Sequence, residues 1–290
     1  MKPILNKTTI AADISDRAHA PFPIFGFDRI TIWLDLPELP IAKYLLESHC
    51  TGLEVQVIQM RHNARWKCRL AILQPTSQFL VLLAKALGHD ASVLVTYAEI
   101  ACDLPADSRR QAVLWCNEFL ALTRMRYQRQ AVVRYENSYY YGRRTDPKGR
   151  RANVLALYFD RPSKLNNAQP ADDLPPCLHI EWRATGSAAL EQLGIVSLED
   201  LIRFDFQRFW NEHIHLYQLP NKTQLGRLLA TACDADIDVS GTALRRRAER
   251  WKQKHSIHRN FIMHNALLGT TKLAPRLKHI SFIAWVKAVR

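Results

Sequence analysis

The sequence predicts an α+β protein: a ferredoxin-like β-α-β-β-α-β body extended by further antiparallel strands, followed by a helical, basic C-terminal part. Three observations lead there. Apolar residues alternate with a period of two in some segments and recur at helical spacing, behind cap residues, in the segments between them. The order of these segments through residue 104 is β-α-β-β-α-β. Beyond Gly186 the pattern reads as helical throughout, and from Gly241 to Arg290 twelve Lys/Arg stand against one acid, Glu249.

Residues 1–25 read as an N-terminal arm that ends in Pro21 and Pro23. F-D-R-I-T-I-W-L-D-L (27–36) is a strand, with Ile30, Ile32 and Leu34 on one face. I-A-K-Y-L-L-E-S-H follows Pro40 as a proline-opened helix. L-E-V-Q-V-I-Q-M (53–60) and W-K-C-R-L-A-I-L (66–73) form a strand pair joined around His62 and Asn63. Residues 76–87 begin with Thr-Ser and are followed by Gly88, the cap signals of a helix. V-L-V-T-Y-A-E-I-A-C-D-L (93–104) is again a strand. A long helix is expected from about Asp107 to Met125, then strands at 131–136, 138–143, 153–159 and 177–184, the last two separated by a loop. Helices at 187–193, 197–211, 222–235 and 241–254 complete the chain. The domain reading is arm 1–25, α+β body 26–211 and basic helical region 212–290.

Composition narrows the function classes. The chain has 290 residues, 48% of them hydrophobic, and is therefore globular rather than disordered. A net charge of +13 favours a polyanionic partner, with nucleic acid ahead of an acidic membrane surface. A second basic zone, Arg124–Arg151, holds nine Arg/Lys against Glu136 and Asp146. The six cysteines form no C-x-x-C pair and sit in apolar stretches, which predicts buried thiols in a reducing compartment. No signal-peptide pattern and no run of about eighteen apolar residues occurs, so a cytoplasmic protein without a membrane association is expected.

Neither G-x-x-x-x-G-K-[ST], G-x-G-x-x-G, G-x-S-x-G nor H-E-x-x-H occurs, which removes the main support for nucleotide hydrolysis, dinucleotide binding and two hydrolase classes. What remains are polar residues inside apolar strands. Glu99 shares a face of its strand with Tyr97, Ala101 and Asp103. A carboxylate in such a strand must be paired, protonated or metal-bound. In C-L-H-I-E-W-R (177–183), Leu178, Ile180 and Trp182 take one face while His179, Glu181 and Arg183 take the other. His179 and Glu181 are then about 6.5 Å apart at Cα and can point at one cation; an exposed ion-pair ladder is the alternative. V-L-A-L-Y-F-D-R-P-S-K (154–164) places Tyr158 near the end of an apolar run. If the sheet gathers Glu99, Glu181 and Tyr158, a phenol nucleophile stands beside a carboxylate-bound Mg²⁺ or Mn²⁺, the arrangement for nicking and resealing DNA through a phosphotyrosine.

With these residues in view, the chain resembles the rolling-circle replication initiators of filamentous phages and, more loosely, the related plasmid initiators. The resemblance spans roughly residues 27–205. It rests on W-K-C-R-L-A-I-L-Q-P-T (66–76), V-T-Y-A-E-I-A-C-D-L (95–104), N-V-L-A-L-Y-F-D-R (153–161) and H-I-E-W-R-A-T-G-S-A-A-L-E-Q-L-G-I (179–195). It implies that Tyr158 is the nicking tyrosine, assisted by Arg161 and Lys164, that Glu99, Glu181 and His179 form the metal shell, and that the 5′ phosphate stays on the protein until the product is resealed. It further implies double-stranded origin DNA and single-stranded DNA as partners, a host helicase beside them, and the bacterial cytoplasm as location. Two features depart from the family: Asp160 stands where a lysine is common two residues after the tyrosine, and His179-Ile180-Glu181 replaces the two-histidine motif.

S-Y-Y-Y-G-R-R-T-D-P-K-G-R-R (138–151) suits a hairpin that grips melted DNA, with bases on Tyr139, Tyr140 and Tyr141 and phosphates on Arg143, Arg144, Arg150 and Arg151. A cross-strand aromatic cluster is the alternative for those rings. In the tail, Arg245, Arg246, Arg250 and Lys252 load the second of two helices, the pattern of a helix-turn-helix or of a basic helix packed on the body. Two other functions fit the same residues: a non-catalytic, sequence-specific DNA-binding regulator, and a metal-dependent nuclease that uses water and leaves Tyr158 structural.

Overall fold

The computed structural model describes residues 22–58, 65–88, 91–124, 133–135, 138–141, 153–163, 165, 176–217 and 279–289. Its first elements are β1 (Ile24–Leu34), α1 (Lys43–Glu47), β2 (Gly52–Val57), β3 (Cys68–Leu73), α2 (Ser77–Leu87) and β4 (Val93–Pro105). Their strands lie in the spatial order β2-β3-β1-β4 with antiparallel neighbours throughout, which is the expected ferredoxin-like arrangement. After α3 (Arg109–Leu122) and β5 (Thr123–Arg124), the sheet grows on the β4 side. There β9 (Pro176–Thr185), β8 (Asn153–Pro162), β7 (Ser138–Tyr141) and β6 (Val133–Tyr135) follow in that order and complete eight antiparallel strands. The class is α+β, as the periodicity predicts.

Local chemistry accounts for the helix limits. The Thr76 hydroxyl accepts from the Phe79 N–H at 3.2 Å, and Gly88 closes α2 at φ 63°, where a side chain would be strained. Ser108 accepts from the Gln111 N–H and opens α3. The single helix expected over 197–211 is two, α5 (Leu198–Ile202) and α6 (Phe206–His213), with α4 (Ser187–Glu191) ahead of them. A Ser197/Asp200 capping box starts α5, and Asp205 caps α6 anew. The break frees Phe204, whose ring packs on Phe27, Phe206 and Phe209.

One face of the sheet is apolar and buried. Ile30, Ile32 and Leu34 of β1 join Leu70 and Ile72 of β3, Ile100, Cys102 and Leu104 of β4, Leu178 and Ile180 of β9, and Leu155 and Leu157 of β8. Each aliphatic side chain removed from water in this way contributes roughly 1.5–3 kcal/mol. Phe79, Leu80 and Leu83 of α2, and Cys116, Phe119 and Leu120 of α3, belong to the same cluster, as do Phe209 and Trp210 of α6. Cys68, Cys102, Cys116 and Cys177 are buried free thiols, as expected, and Cys50 is half-buried.

Beyond Gly186 the chain is not wholly helical. β10 (His215–Tyr217) pairs with β5 on one side and with β11 (His279–Ile280) on the other in a second, three-stranded sheet. Runs of two or three residues are too short for a periodicity to register; Leu216 is fully buried and Ile280 packs against the core. The terminal helix α7 (Phe282–Val289) stacks Phe282 on Trp210 at 5.1 Å and sets Trp285 against Phe119 at 5.3 Å, so the end of the chain returns to the body core. No helix among the described residues is long and apolar enough to cross a membrane. Of the arm expected over 1–25, Ile24 and Phe25 belong to β1; residues 1–21, the expected basic turn with Arg143, Arg144, Arg150 and Arg151, Lys164, and the expected tail helices with Arg245, Arg246, Arg250 and Lys252 lie outside the described residues.

Candidate active site

The opposite face of the sheet concentrates polar side chains where β1, β4, β9 and β8 run side by side. Register places them: Asp103 of β4 faces His179 of β9, Ala101 faces Glu181, and Glu99 faces Arg183. Across the other edge of β9, Tyr158 of β8 faces His179. The period of two puts Glu99, Asp103, His179, Glu181, Arg183 and Tyr158 on one side, just as it puts Ile100, Leu178, Ile180 and Leu157 on the other.

Two bulges complete the set. Between Phe27 and Arg29, β1 carries one residue more than β4, and that residue is Asp28. Strict alternation would send Asp28 to the Ile30 face; the bulge returns it to the polar side, where it is 3% exposed. Between Tyr158 and Arg161, β8 likewise gains a residue against β9. Arg161, rather than Asp160, therefore comes round over the Tyr158 ring, with its guanidinium carbon 4.9 Å from the centroid.

Asp28, His179 and Glu181 form a group that can hold a metal ion. Their donor atoms all lie within 4.8 Å of one another. His179 Nε2 is 3.3 Å from Glu181 Oε2 and 3.9 Å from Asp28 Oδ2. The other ring nitrogen, Nδ1, is bonded to Asp103 Oδ1, and Asp103 Oδ2 accepts from the Ser163 hydroxyl at 2.6 Å and the Leu165 N–H at 3.1 Å. A carboxylate that holds Nδ1 and turns Nε2 toward two further carboxylates is the usual support of a metal-bound histidine. Asp28 is oriented in turn by Gln74, whose side-chain amide donates to Oδ1 at 2.5 Å. Gln74 sits at φ 44°, a left-handed conformation unusual for a side-chain-bearing residue, at the point where the chain leaves β3.

Arg183 links this group to the tyrosine. Its Nε donates to Glu181 Oε1 and lies 3.6 Å from Glu99 Oε1, while a terminal nitrogen donates to the Tyr158 hydroxyl at 2.5 Å. Tyr140 Oη is 3.4 Å from Tyr158 Oη, and the two rings meet edge to face.

The charges are strongly coupled. Burial alone would lower the pKa of His179, but Asp103 first and Glu181 second outweigh it and push it up to about 10. Burial opposes the charge on Glu181 too, yet His179 and Arg183 hold its carboxyl down at about 2. For Glu99, burial and then the Glu181 charge prevail over Tyr97 and Arg183, so its pKa rises to about 7. Burial and the Glu181 charge likewise raise Tyr158 above the ordinary tyrosine value, with Arg183 opposing. Without a cation, Tyr158 is therefore held as the neutral phenol.

Sequence reasoning singles out Tyr158, Arg161, His179 and Glu181, and the sheet brings all four together. Glu99 is close by but bonded to Tyr97 and Arg183, and Asp28 takes the third place at the cation group. The three tyrosines offered as a stacking surface turn inward, because alternation on β7 divides them between two packed layers. Tyr141 is buried in the core cluster, Tyr139 lies half-buried against Phe159, and Tyr140 faces Tyr158 at 4% exposure. The alternative of a cross-strand aromatic cluster describes them. Comparison of the chain with protein-family models and with curated proteins finds no match.

Proposed function

We propose that the chain is a rolling-circle replication initiator, which nicks one DNA strand with Tyr158, keeps the 5′ phosphate as a phosphotyrosine and later reseals the strand. The observation that carries this reading is the continuous contact from the Tyr158 hydroxyl through Arg183 to Glu181 of the cation group. Asp28, His179 and Glu181 would hold a divalent ion, and two carboxylates with one imidazole suit Mg²⁺ or Mn²⁺. An ion bound there supplies positive charge that polarises the scissile phosphate and offsets charge developing in its transition state. Asp103 fixes the His179 ring and Gln74 fixes Asp28, so the donor set is positioned in advance.

Tyr158 supplies the nucleophile. A bond forms from its Oη to phosphorus, the bond from phosphorus to the 3′ oxygen breaks, and the phenol proton ends on that oxygen through solvent. Arg183 and Arg161 stabilise the phenolate as it forms, one by hydrogen bond and the other over the ring face. Attack by a 3′ hydroxyl on the phosphotyrosine reverses the same steps and reseals DNA without ATP. Origin DNA and a host helicase belong to this reading as partners, and the net charge of +13 suits the former.

One observation favours a second reading, a metal-dependent nuclease that uses water. The Tyr158 hydroxyl is buried, already bonded to Arg183, and raised in pKa, as a purely structural tyrosine would be. Single-stranded DNA labelled at its 3′ end and supercoiled DNA labelled internally, incubated with the protein and Mg²⁺ or Mn²⁺, separate the two. Label carried on the denatured protein supports the tyrosine; nicked DNA with no attached label supports the water.

A further inference from the structure

At the end of the sheet where the chain leaves β3 lies a cavity of about 270 Å³. Phe25 and Phe27 of β1 and Phe204 and Phe206 of the α5–α6 junction wall it, and Gln74 and Ser77 stand among its polar lining. From this lining we infer that the cavity is a subsite for one nucleobase of the bound single strand, next to the position where the backbone meets the cation group. The inference rests on the DNA-nicking reading proposed above and names how that site holds its substrate.

Three features of the cavity point to a base. Its walls are aromatic: Phe206 packs on Phe27 at 5.0 Å, on Phe204 at 5.0 Å and, nearly parallel, on Phe25 at 6.3 Å. Flat apolar faces are what a base stacks on, whatever its identity. Its volume falls just below the roughly 300–1,000 Å³ of sites for drug-sized ligands, which fits one ring system rather than a whole nucleotide. Exposed Thr76 and Ser77 open α2 beside it, and the amides and dipole of a first helical turn favour a flanking phosphate. A lipid chain would use none of that polarity.

The cavity is also tied to the candidate active site at two points. Gln74 lines it and bonds Asp28, so one side chain separates the base subsite from the cation group. Leu165 forms another part of the wall, and its N–H is held by Asp103, the carboxylate that also holds His179. Gly26 makes room on the β1 side: a Cβ there would lie 3.1 Å from the Leu165 side chain. A base seated between these walls would set which phosphate of the strand reaches Tyr158.

Fluorescence anisotropy with two labelled probes tests the inference: a thymidine oligomer of about twelve nucleotides, within the 4–16 that single-strand folds cover, and an abasic oligomer of the same length. Wild-type protein with Mn²⁺ should bind the thymidine oligomer about tenfold more tightly, the order that stacking one base gives. Phe204→Leu/Phe206→Leu, which keeps apolar volume and removes the rings, should lose that preference while its thermal melt stays cooperative. Gly26→Val, which pushes a side chain toward Leu165, should lose it as well by narrowing the cavity. Equal binding of both oligomers by wild type, or an undiminished preference in both variants, overturns the inference. Covalent adduct is scored in the same samples. Adduct without base preference removes the subsite and leaves the nicking reading standing. Base preference lost in the variants, with no adduct in wild type, does the reverse.

Discussion

Asp103 and His179, Cα partners across β4 and β9, are joined by a hydrogen bond in which Nδ1–H donates to the carboxylate. Neither side chain is more than 2% exposed, so no water competes for either group. The pairing fixes which ring nitrogen faces Asp28 and Glu181.

Asp103→Asn should therefore weaken metal binding without unfolding the sheet. An amide can still bond Nδ1 and the Ser163 hydroxyl, but it no longer makes the imidazole more basic. The expected loss is about 10–100-fold in Mn²⁺ affinity corrected for the proton His179 must release, since Asp103 also helps His179 hold that proton. Calorimetric titration of wild type and variant with Mn²⁺ measures it; unchanged affinity would mean that His179 does not ligate.

Tyr158→Phe should fold and bind single-stranded DNA as wild type does, because only the hydroxyl is lost and Arg183 keeps Glu181. It should form no covalent adduct. Label transfer from DNA to the denatured protein reads this directly. Adduct at the wild-type level would pass the role to another tyrosine, with Tyr140 adjacent at 3.4 Å.

The residues of this site differ in how far the sequence exposes them. His179 and Glu181 stand out because they alternate with Leu178, Ile180 and Trp182 on a strand whose period is unbroken. Asp103 carries the same signal, lying on the Glu99 face by period, but nothing local tells which histidine it will meet from 76 residues away. Asp28 is hidden by the bulge: in F-D-R-I-T-I-W-L it counts with Ile30 and Ile32, and only the extra residue opposite β4 turns it over. The same limit applies to Arg161, which period two would send to the far face of β8. The ferredoxin-like order is legible because its strands and α2 are long enough to show a period or a cap and Pro40 precedes the short α1, whereas β5, β10 and β11 are too short.

Metal binding should strengthen as pH rises. His179 has a pKa near 10 in the metal-free protein, so a proton must leave before Nε2 can ligate. Glu181, at about 2, is ionised throughout and imposes no such limit. Apparent Mn²⁺ affinity should climb by up to about tenfold per pH unit between about pH 6.5 and about pH 8.5. In a chelator the sign for folding is opposite. The folded pKa of His179 lies above its unfolded value, so its stabilisation is complete below about pH 6.5 and is lost as pH rises toward 10. Titrations and melts over the same buffers should thus run in opposite directions, and an affinity flat across this range would show that His179 is not protonated there.

Glu99 provides a separate check on the electrostatics, because its carboxyl is the one whose pKa is raised. Burial and the Glu181 charge lift it to about 7, above the ordinary carboxylate value, so the folded protein holds that proton more tightly than the unfolded chain. The resulting stabilisation is present below the unfolded pKa of about 4.3 and is lost as pH rises through 7. Glu99→Gln mimics the protonated form at every pH: the amide can keep the Tyr97 hydroxyl as a partner and carries no charge toward Glu181. With chelator present, the variant should melt close to wild type near pH 4 and above it beyond about pH 8, where ionised Glu99 opposes folding. Differential scanning calorimetry at the two pH values measures the gap. A variant less stable than wild type at high pH would mean that the Arg183–Glu99 contact at 3.6 Å outweighs the repulsion from Glu181, and that Glu99 is held ionised as a partner of the arginine.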